Sequence, residues 1–312
     1  MRNTAIAAGA GLLSFVFLAL VATGPGGVLF GPLAPLPLFA VGLSLGLRPL
    51  AVAGAAFALP ALALGGIPAA LGGLVVLLGP VGVLVRQALL SRPGPDGGME
   101  WYPPGLLVAW LTMIGLAIVA LSLGVLWVTG DGGLHSRLSQ EMQAALAQVL
   151  PELPADQVQD LAGQLAPFAI GLSAVSWLLV LAADGALAQA LVSRLGAALR
   201  PAPQMAELEL PRWMSPVLAV SLVAAYLAPG DFGFAARNFA MVLLLPFFFA
   251  GLAVIHAFAR HRAARGILLA VFYGAIVLFT WLAVLVTGLG LLDQLAGLRR
   301  RFAAGGQGRE DE

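Results

Sequence analysis

Long runs of apolar residues, separated by glycine, proline or charged residues, make up most of the chain. The runs are continuous rather than alternating, which is typical of membrane-spanning helices and not of half-buried strands. A run of about 18 apolar residues is long enough to cross a bilayer. The pattern predicts spans near 4–23, 28–47, 50–65, 67–90, 104–129, 165–193, 214–229, 238–259 and 266–290.

We therefore predict an all-α fold, a polytopic membrane helix bundle with eight or nine transmembrane helices. The count depends on 50–90, where a Gly-Gly pair at 65–66 provides the only candidate turn. The first apolar run resembles a signal peptide, but we interpret it as a retained helix because the next run follows almost at once.

Composition supports this interpretation. The 312 residues are 60% hydrophobic and 10% charged, with a mean hydropathy of +0.97, whereas a soluble domain carries roughly a quarter charged residues. The chain has no cysteine and no lysine, which excludes disulfides, thiolate metal sites, cysteine nucleophiles and Schiff-base chemistry. The net charge of +1 gives no indication of a nucleic-acid partner. The composition therefore predicts that the protein's partner is the lipid bilayer.

One long polar segment, 130–164, interrupts the apolar pattern. Its apolar residues recur at helical spacing, first around Leu138 and again after Asp156, so we predict an amphipathic helical hairpin. The simpler interpretation is a cap on the membrane surface, and the alternative is a docking surface for a partner. We interpret 1–302 as one integral membrane domain that contains this insertion, and 303–312 as a disordered tail.

The placement of charge predicts the orientation. Arginines collect on one side of the predicted bundle, and the positive-inside rule assigns that side to the cytoplasm. They are Arg2, Arg48, Arg86, Arg92, Arg194, Arg200, Arg212, Arg260, Arg262 and Arg265. The segment 130–164 carries five acidic residues against one arginine, so we place it outside the cytoplasm. We predict a multi-pass protein of the bacterial cytoplasmic (inner) membrane with a cytoplasmic N-terminus. With nine spans the C-terminus would lie outside the cytoplasm, and with eight it would lie inside. The sequence therefore does not predict the side of the C-terminus.

The stretch Phe30–Pro49, FGPLAPLPLFAVGLSLGLRP, combines bilayer-compatible apolarity with several helix breakers. Broken backbone is costly in lipid, because its amides find no partner there. One interpretation is a broken helix that faces the bundle interior and presents backbone groups to a ligand. Its candidate ligand-binding residues are Pro32, Pro35, Pro37 and Arg48. The alternative is an extended surface loop leading into a helix that starts near Pro37, where prolines cost least.

Two ionisable residues in apolar surroundings are further ligand-binding candidates. Asp184 lies in VLAADGALAQALVSR, and an aspartate at the centre of a membrane helix costs about 3 kcal/mol. The alternative is a helix that runs past the membrane and leaves Asp184 at the cytoplasmic interface. His256 lies one turn before Arg260 and is predicted near the same interface. Elsewhere, the small residues Ala7 and Gly11 favour close helix packing.

No catalytic motif accompanies these residues. GAGLLS and GLGLLD mimic dinucleotide fingerprints, but both lie inside apolar runs with no strand before them. The sequence has no HExxH, GxSxG or Walker motif, and His135, His256 and His261 make no metal-ligand spacing. We therefore expect no enzyme activity, no catalytic residue, no metal site and no cofactor.

Several segments carry a family resemblance. LPRWMSPVL, LLLPFFFAGLAVIHAFARHR, GLGLLDQLAGLRRR and the proline-rich PLAPLPLFAVGLSLGLRP resemble the YybS-like family of uncharacterised bacterial multi-pass membrane proteins. In that family, a final helix ends in Gly, Asp and an arginine-rich cluster. The matching residues are Gly290, Asp293, Arg299, Arg300 and Arg301. We interpret Asp293 and the three arginines as a membrane-surface anchor, in which an exposed ion pair would contribute less than about 1 kcal/mol.

The membrane core of that family is distantly similar to the substrate-binding subunits of energy-coupling-factor transporters. This resemblance implies a small-molecule-binding, transporter-type subunit that needs a partner, either a transporter ATPase or another membrane protein. The alternative is a non-transporting scaffold or anchor for an envelope or division complex. A closed polar cavity at mid-membrane would favour the transporter, and a solid apolar core would favour the scaffold.

Overall fold

The computed structural model describes residues 1–24, 26–95, 97–129, 134–260, 262 and 264–299. These residues are mostly helical, as the apolar runs predict, because a helix satisfies its own backbone groups in lipid. The helices are α1 (Arg2–Leu20), α2 (Pro35–Leu45), α3 (Leu47–Gly73), α4 (Gly79–Ala88), α5 (Pro104–Thr129), α6 (Leu134–Val149), α7 (Ala155–Leu165), α8 (Ala169–Arg194), α9 (Met214–Leu227), α10 (Gly230–Arg260), α11 (Arg265–Leu278) and α12 (Leu282–Ala296). Between α4 and α5, β1 (Ser91–Pro93) pairs with β2 (Met99–Trp101) in an antiparallel hairpin.

The helices divide into two compact units. The first contains Met1–Pro103 and Trp177–Pro203, and the second contains Pro104–Ser176 and Gln204–Glu312. Among the described residues, six helical segments are long and apolar enough to cross a membrane: Arg2–Thr23, Gly27–Leu45, Leu47–Ala88, Pro104–Val128, Ala155–Arg194 and Gly230–Arg260. The helices α9, α11 and α12 are apolar but shorter. The chain is therefore a multi-pass membrane protein, although its long segments do not map one to one onto the eight or nine predicted spans.

The segment Leu47–Ala88 folds back on itself at Gly66. This glycine has a φ of +70°, a left-handed value that side chains disfavour. Gly73 packs against Phe57, because a Cβ added to Gly73 would lie 2.7 Å from the Cζ atom of the Phe57 ring. Residue 65 lies midway between Phe57 and Gly73 in the sequence. The chain therefore reverses at the predicted turn, 65–66. Each arm is about 30 Å long, which matches the hydrocarbon core of a bilayer.

A π-helical turn, Leu74–Leu78, separates α3 from α4. Pro80 explains it, because proline has no N–H to donate to the carbonyl of Val76 four residues earlier. The indole Nε1–H of Trp177 donates to that carbonyl instead, with an N–O distance of 3.2 Å. The hydrogen bond ties α8 to the second arm of the folded segment.

The second unit is built around α10, in which two thirds of an apolar 18-residue stretch are buried. It packs against α5, α9 and α12. Near its start, the fully buried Asn238 accepts from the N–H of Gly171 at 2.7 Å. The Asn238 amide nitrogen donates to the carbonyls of Pro167 and Phe234 at 3.0 and 2.8 Å. These bonds connect the start of α10 to the start of α8.

The prediction of a single helix over 266–290 is wrong. The chain leaves the helical region at Phe279, which has φ −122° and ψ 77°, and two shorter helices, α11 and α12, take its place. The rings of His256 and Tyr273 meet edge to face with centroids 5.9 Å apart. This contact shows that α11 folds back along α10, so that α12 can run in the opposite direction to α11.

The α12 helix ends at the same end of this unit as α10. Arg260, the last residue of α10, donates to Oε1 of Gln204 at 2.7 Å. Arg299, just beyond α12, donates to the carbonyl of Ala206 at 3.0 Å. Both acceptors belong to the short segment 204–207, so the two helix ends lie together. Arg299, the last described residue, therefore lies at the end of this unit where α10 ends.

The helices α6 and α7 occupy the polar segment 130–164 and pack against each other. Asp156 lies in the first turn of α7, where its charge complements the helix dipole. Val158 and Ala162 are buried, which agrees with an amphipathic helix. Residues 130–133 lie outside the described part of the chain, and the extracytoplasmic location of these helices stays a prediction.

Candidate functional site

The start of α2 shows where the backbone groups of the proline-rich stretch go. An α-helix begins with four N–H groups that have no partner inside the helix. At α2 these positions are Ala34, Pro35, Leu36 and Pro37. The two prolines have no N–H, and the N–H of Ala34 donates to the carbonyl of Gly31 at 3.1 Å. Leu36 is left as the single free donor, and its N–H meets the carboxylate of Asp184 on α8.

The break lies inside the first unit. Pro35 and Pro37 are buried, and the hydroxyl of the buried Ser14 on α1 donates to the carbonyl of Ala34. Pro32 is exposed, within a 3-10 stretch that precedes α2. Pro35 and Pro37 therefore lie at a helix break inside the protein, whereas Pro32 lies in the exposed segment before α2.

Asp184 lies on the buried face of α8 and is 5% exposed. It precedes Arg194, the last residue of α8, by ten positions, or about 15 Å along the helix axis. Asp184 is therefore deep within α8, and its position relative to the membrane surface stays a prediction. Its Oδ2 atom has no hydrogen-bond partner among the described residues.

The surroundings of Asp184 are apolar and closely packed. Leu38 and Leu181 are fully buried, and Phe39 is 3% exposed. A Cβ added to Gly185 would lie 3.6 Å from the Phe39 ring, so this ring fills the space beside α8. Side chains, rather than an open cavity, surround the carboxylate.

Asp293 is buried to a similar degree as Asp184, at 6% exposure, but its carboxylate is paired. The N–H of Arg299 donates to one oxygen at 2.9 Å, and its Nε donates to the other at 2.8 Å. The prediction treated this as an exposed pair at the membrane surface, whereas the structure buries it, because the chain turns back after α12. Arg300 and Arg301, assigned to the same anchor, lie outside the described residues.

Arg200 forms another buried polar centre, which the sequence analysis counted only as one of the cytoplasmic charges. It is 5% exposed. Its Nη1 donates to the carbonyl of Ala88 at the end of α4 at 2.8 Å, and its guanidinium lies 5.8 Å from the centroid of Trp101. Burial lowers the pKa of Arg200. A cation at the C-terminal carbonyls of a helix is stabilising, so Arg200 holds the end of α4. Nothing in the sequence distinguishes it from the exposed arginines.

The remaining predicted ligand-binding residues do not join Asp184 in a polar cluster. Arg48 is exposed at the start of α3. His256 belongs to the second unit and is half-buried, with Nδ1 2.9 Å from the carbonyl of Leu252 in its own helix. Of the predicted set, the structure brings together Pro35, Pro37 and Asp184. Leu36 was not singled out, although a Pro-Leu-Pro sequence marks it as the one residue there that can donate.

An open apolar groove of about 520 Å³ runs along α9 in the second unit. It is lined by Ala219, Val220, Val223, Ala224, Leu227 and Ala228. These residues offer no charge and no side-chain hydrogen-bonding group. The groove is therefore suited to acyl chains, and it is not the closed polar cavity expected of a solute site.

Comparison with known proteins places the chain in a family. No curated protein and no solved structure matches the chain. A family model described as "Predicted membrane protein (DUF2232)" matches residues 11–294. The match extends from α1 into α12, so it includes the proline-broken start of α2, Asp184 and Asp293. The chain therefore belongs to the DUF2232 family of membrane proteins.

Proposed function

We propose that this protein is a transporter-type membrane subunit that binds a small solute or an ion at the start of α2. The observation that carries the proposal is the meeting of Asp184 with the single free N–H at Leu36. Transporters commonly use discontinuous helices to present backbone groups to substrates and coupling ions near the bilayer midplane. An ionisable side chain inside a membrane helix is expensive and commonly marks an ion or substrate pathway.

The proposed role is non-enzymatic and needs an energy source from elsewhere. The chain has no Walker sequence, so a partner ATPase or an ion gradient would drive transport. The resemblance to YybS-like proteins, and through them to energy-coupling-factor substrate-binding subunits, supports an ATPase partner. That support rests on the sequence motifs alone. We place the protein in the bacterial cytoplasmic membrane, with the ends of α10 and α12 on the cytoplasmic side.

The experiment compares two proline variants of the full chain. A Pro35→Ala/Pro37→Ala double variant adds two N–H groups at the start of α2. It therefore changes the set of hydrogen-bond donors that faces Asp184. Pro32→Ala, at the exposed proline, is the matched control. Each protein is purified in mild detergent, and mass spectrometry identifies the small molecules and proteins that co-purify.

We expect the parent and Pro32→Ala to retain the same small molecule, and the double variant to lose it while remaining monodisperse. Equal recovery from all three proteins, or no small molecule from any, would contradict the proposal.

The alternative function, a scaffold or anchor, is favoured by two observations. Closely packed side chains, rather than a closed polar cavity, surround Asp184, and the connection between α6 and α7 exposes apolar residues. Val149 and Leu150, at the connection between these helices, are 74% and 37% exposed. Such apolar residues at the tip of a polar hairpin could contact a partner. The scaffold replaces the transporter if a Val149→Ser/Leu150→Ser variant loses a co-purifying protein and no preparation contains a bound small molecule.

A further inference from the structure

We infer that Asp184 binds and releases a proton at Oδ2, and that this proton is the coupling ion of the proposed transporter. This inference deepens the proposed function, because it names the ion that binds at the same site. The organic solute is a separate ligand, which the proline variants test.

The carboxylate of Asp184 is only partly satisfied. The N–H of Leu36 meets the group, while Oδ2 has no hydrogen-bond partner among the described residues. The start of a helix supplies a partial positive charge of roughly half a unit, which offsets part of a full negative charge. An ionised carboxylate without a counter-charge is costly to bury, and such groups commonly neutralise instead. A proton on Oδ2 would remove this cost.

The charged groups around Asp184 do not supply a counter-ion. The α2 helix, which faces Asp184, contains no ionisable side chain. Arginines of the first unit lie at helix ends or beyond them: Arg2, Arg48, Arg86, Arg92, Arg194 and Arg200. None forms an ion pair with Asp184 in the described structure. Asp184 is the only acidic residue in the helices α1 to α4 and α8, so no second carboxylate shares the proton.

A proton fits the surroundings of Oδ2 better than a metal ion. Hard cations require several oxygen ligands, and the described residues contain no group of three or more His, Cys, Asp or Glu side chains that could hold a metal. The contact of Phe39 with Gly185 fills the space beside the carboxyl group. A proton requires only one free lone pair, and Oδ2 provides it.

Asp293 provides an internal comparison. Its burial is similar, but both of its oxygens accept from Arg299. The guanidinium supplies the full counter-charge that Asp184 lacks. The two aspartates should therefore differ in every assay that detects a protonated carboxyl group in apolar surroundings.

The first test uses N,N′-dicyclohexylcarbodiimide, an apolar reagent that modifies protonated carboxyl groups. The carboxyl oxygen bonds to the central carbon of the reagent while the carboxyl proton moves to one of its nitrogens. The full-length parent, Asp184→Asn and Asp293→Asn are treated in detergent, and the modified residue is located by mass spectrometry. We expect an adduct on Asp184 in the parent and in Asp293→Asn, and its loss in Asp184→Asn. Its yield should fall as the pH rises, and it should be the same in sodium chloride and choline chloride.

The second test does not require the reagent to enter the protein. Infrared difference spectra between two buffers that both lie above the pKa of exposed carboxyl groups, about 4, should contain the C=O band of a protonated carboxyl group in the parent. That band should be absent from Asp184→Asn and present in Asp293→Asn. Asp184→Asn mimics the protonated form, so its melting temperature should be no lower than that of the parent.

Two outcomes would overturn the inference. Absence of both the adduct and the infrared band at every pH would show that Asp184 remains ionised. Protection of Asp184 by sodium at constant pH would identify a metal-cation site instead. Neither outcome decides the solute-binding proposal, which stands or fails on the proline variants.

Discussion

Gly251 of α10 and Gly290 of α12 face each other where the two helices cross. A Cβ added to Gly290 would lie 2.6 Å from the backbone nitrogen of Gly251, closer than real side chains approach. The absence of side chains at both positions lets the two backbones meet, which is how small residues pack membrane helices. This crossing attaches the last described helix to the core of the second unit.

Adding one methyl group at this crossing should destabilise the protein. We expect Gly290→Ala to lower the free energy of unfolding by about 1–3 kcal/mol, as overpacking of a closely packed interior commonly does. Thermal unfolding in detergent measures the change. Gly288→Ala is the matched control, because a Cβ added to Gly288 meets nothing within 4 Å. Equal melting temperatures for the two variants would show that the helices do not cross at these glycines.

The ion pair of Asp293 with Arg299 should contribute as a buried pair. Arg299→Ala leaves a buried carboxylate without its partner, so we expect a loss of about 3–5 kcal/mol in the free energy of unfolding. Arg92→Ala is the comparison, because it removes a pair with Glu100 in which the arginine side chain is 80% exposed. That change should cost less than about 1 kcal/mol. Similar melting temperatures for both variants would place Asp293 at the surface.

The single amide side chain of Asn238 should contribute strongly to the free energy of unfolding. Asn238→Ala removes the hydrogen bonds to Gly171, Pro167 and Phe234 and leaves buried backbone groups unpaired, at a cost of about 1–3 kcal/mol or more. The exposed Asn3 provides a control in Asn3→Ala, which should unfold at the parent's temperature. If Asn238→Ala also unfolds there, these hydrogen bonds do not hold α10 to α8.

The predicted orientation can be tested on a chain that has no cysteine of its own. Gln148→Cys places a thiol on the exposed part of α6, and Ser91→Cys places one on the exposed β1 strand. We expect a membrane-impermeant maleimide to label Gln148→Cys on intact cells with a permeabilised outer membrane. Ser91→Cys should be labelled only after lysis, because positively charged loops stay in the cytoplasm. The reverse labelling pattern would show that the predicted orientation is inverted.

The pattern of apolar, glycine and proline residues along the chain was sufficient to predict much of the fold. Runs of apolar residues predicted the long helices, because a single segment must satisfy its own backbone in lipid. The glycine pair at 65–66 marked the reversal, and the prolines marked the start of α2 near its observed first residue, Pro35. The break at Phe279 was missed, since the sequence there is as apolar as the helices on either side.

The candidate site depended on contacts between distant parts of the chain. Asp184 and Asp293 both follow an apolar helical run, and the arginine cluster after Asp293 indicated an ion pair there but not its burial. Packing places the N–H of Leu36 against Asp184 and a full guanidinium against Asp293. The cost of a buried charge depends on the groups that surround it in space. The sequence could therefore predict that helices form and that arginines accompany Asp293, but only the tertiary structure decided that both carboxylates are buried and that Oδ2 of Asp184 has no partner among the described residues.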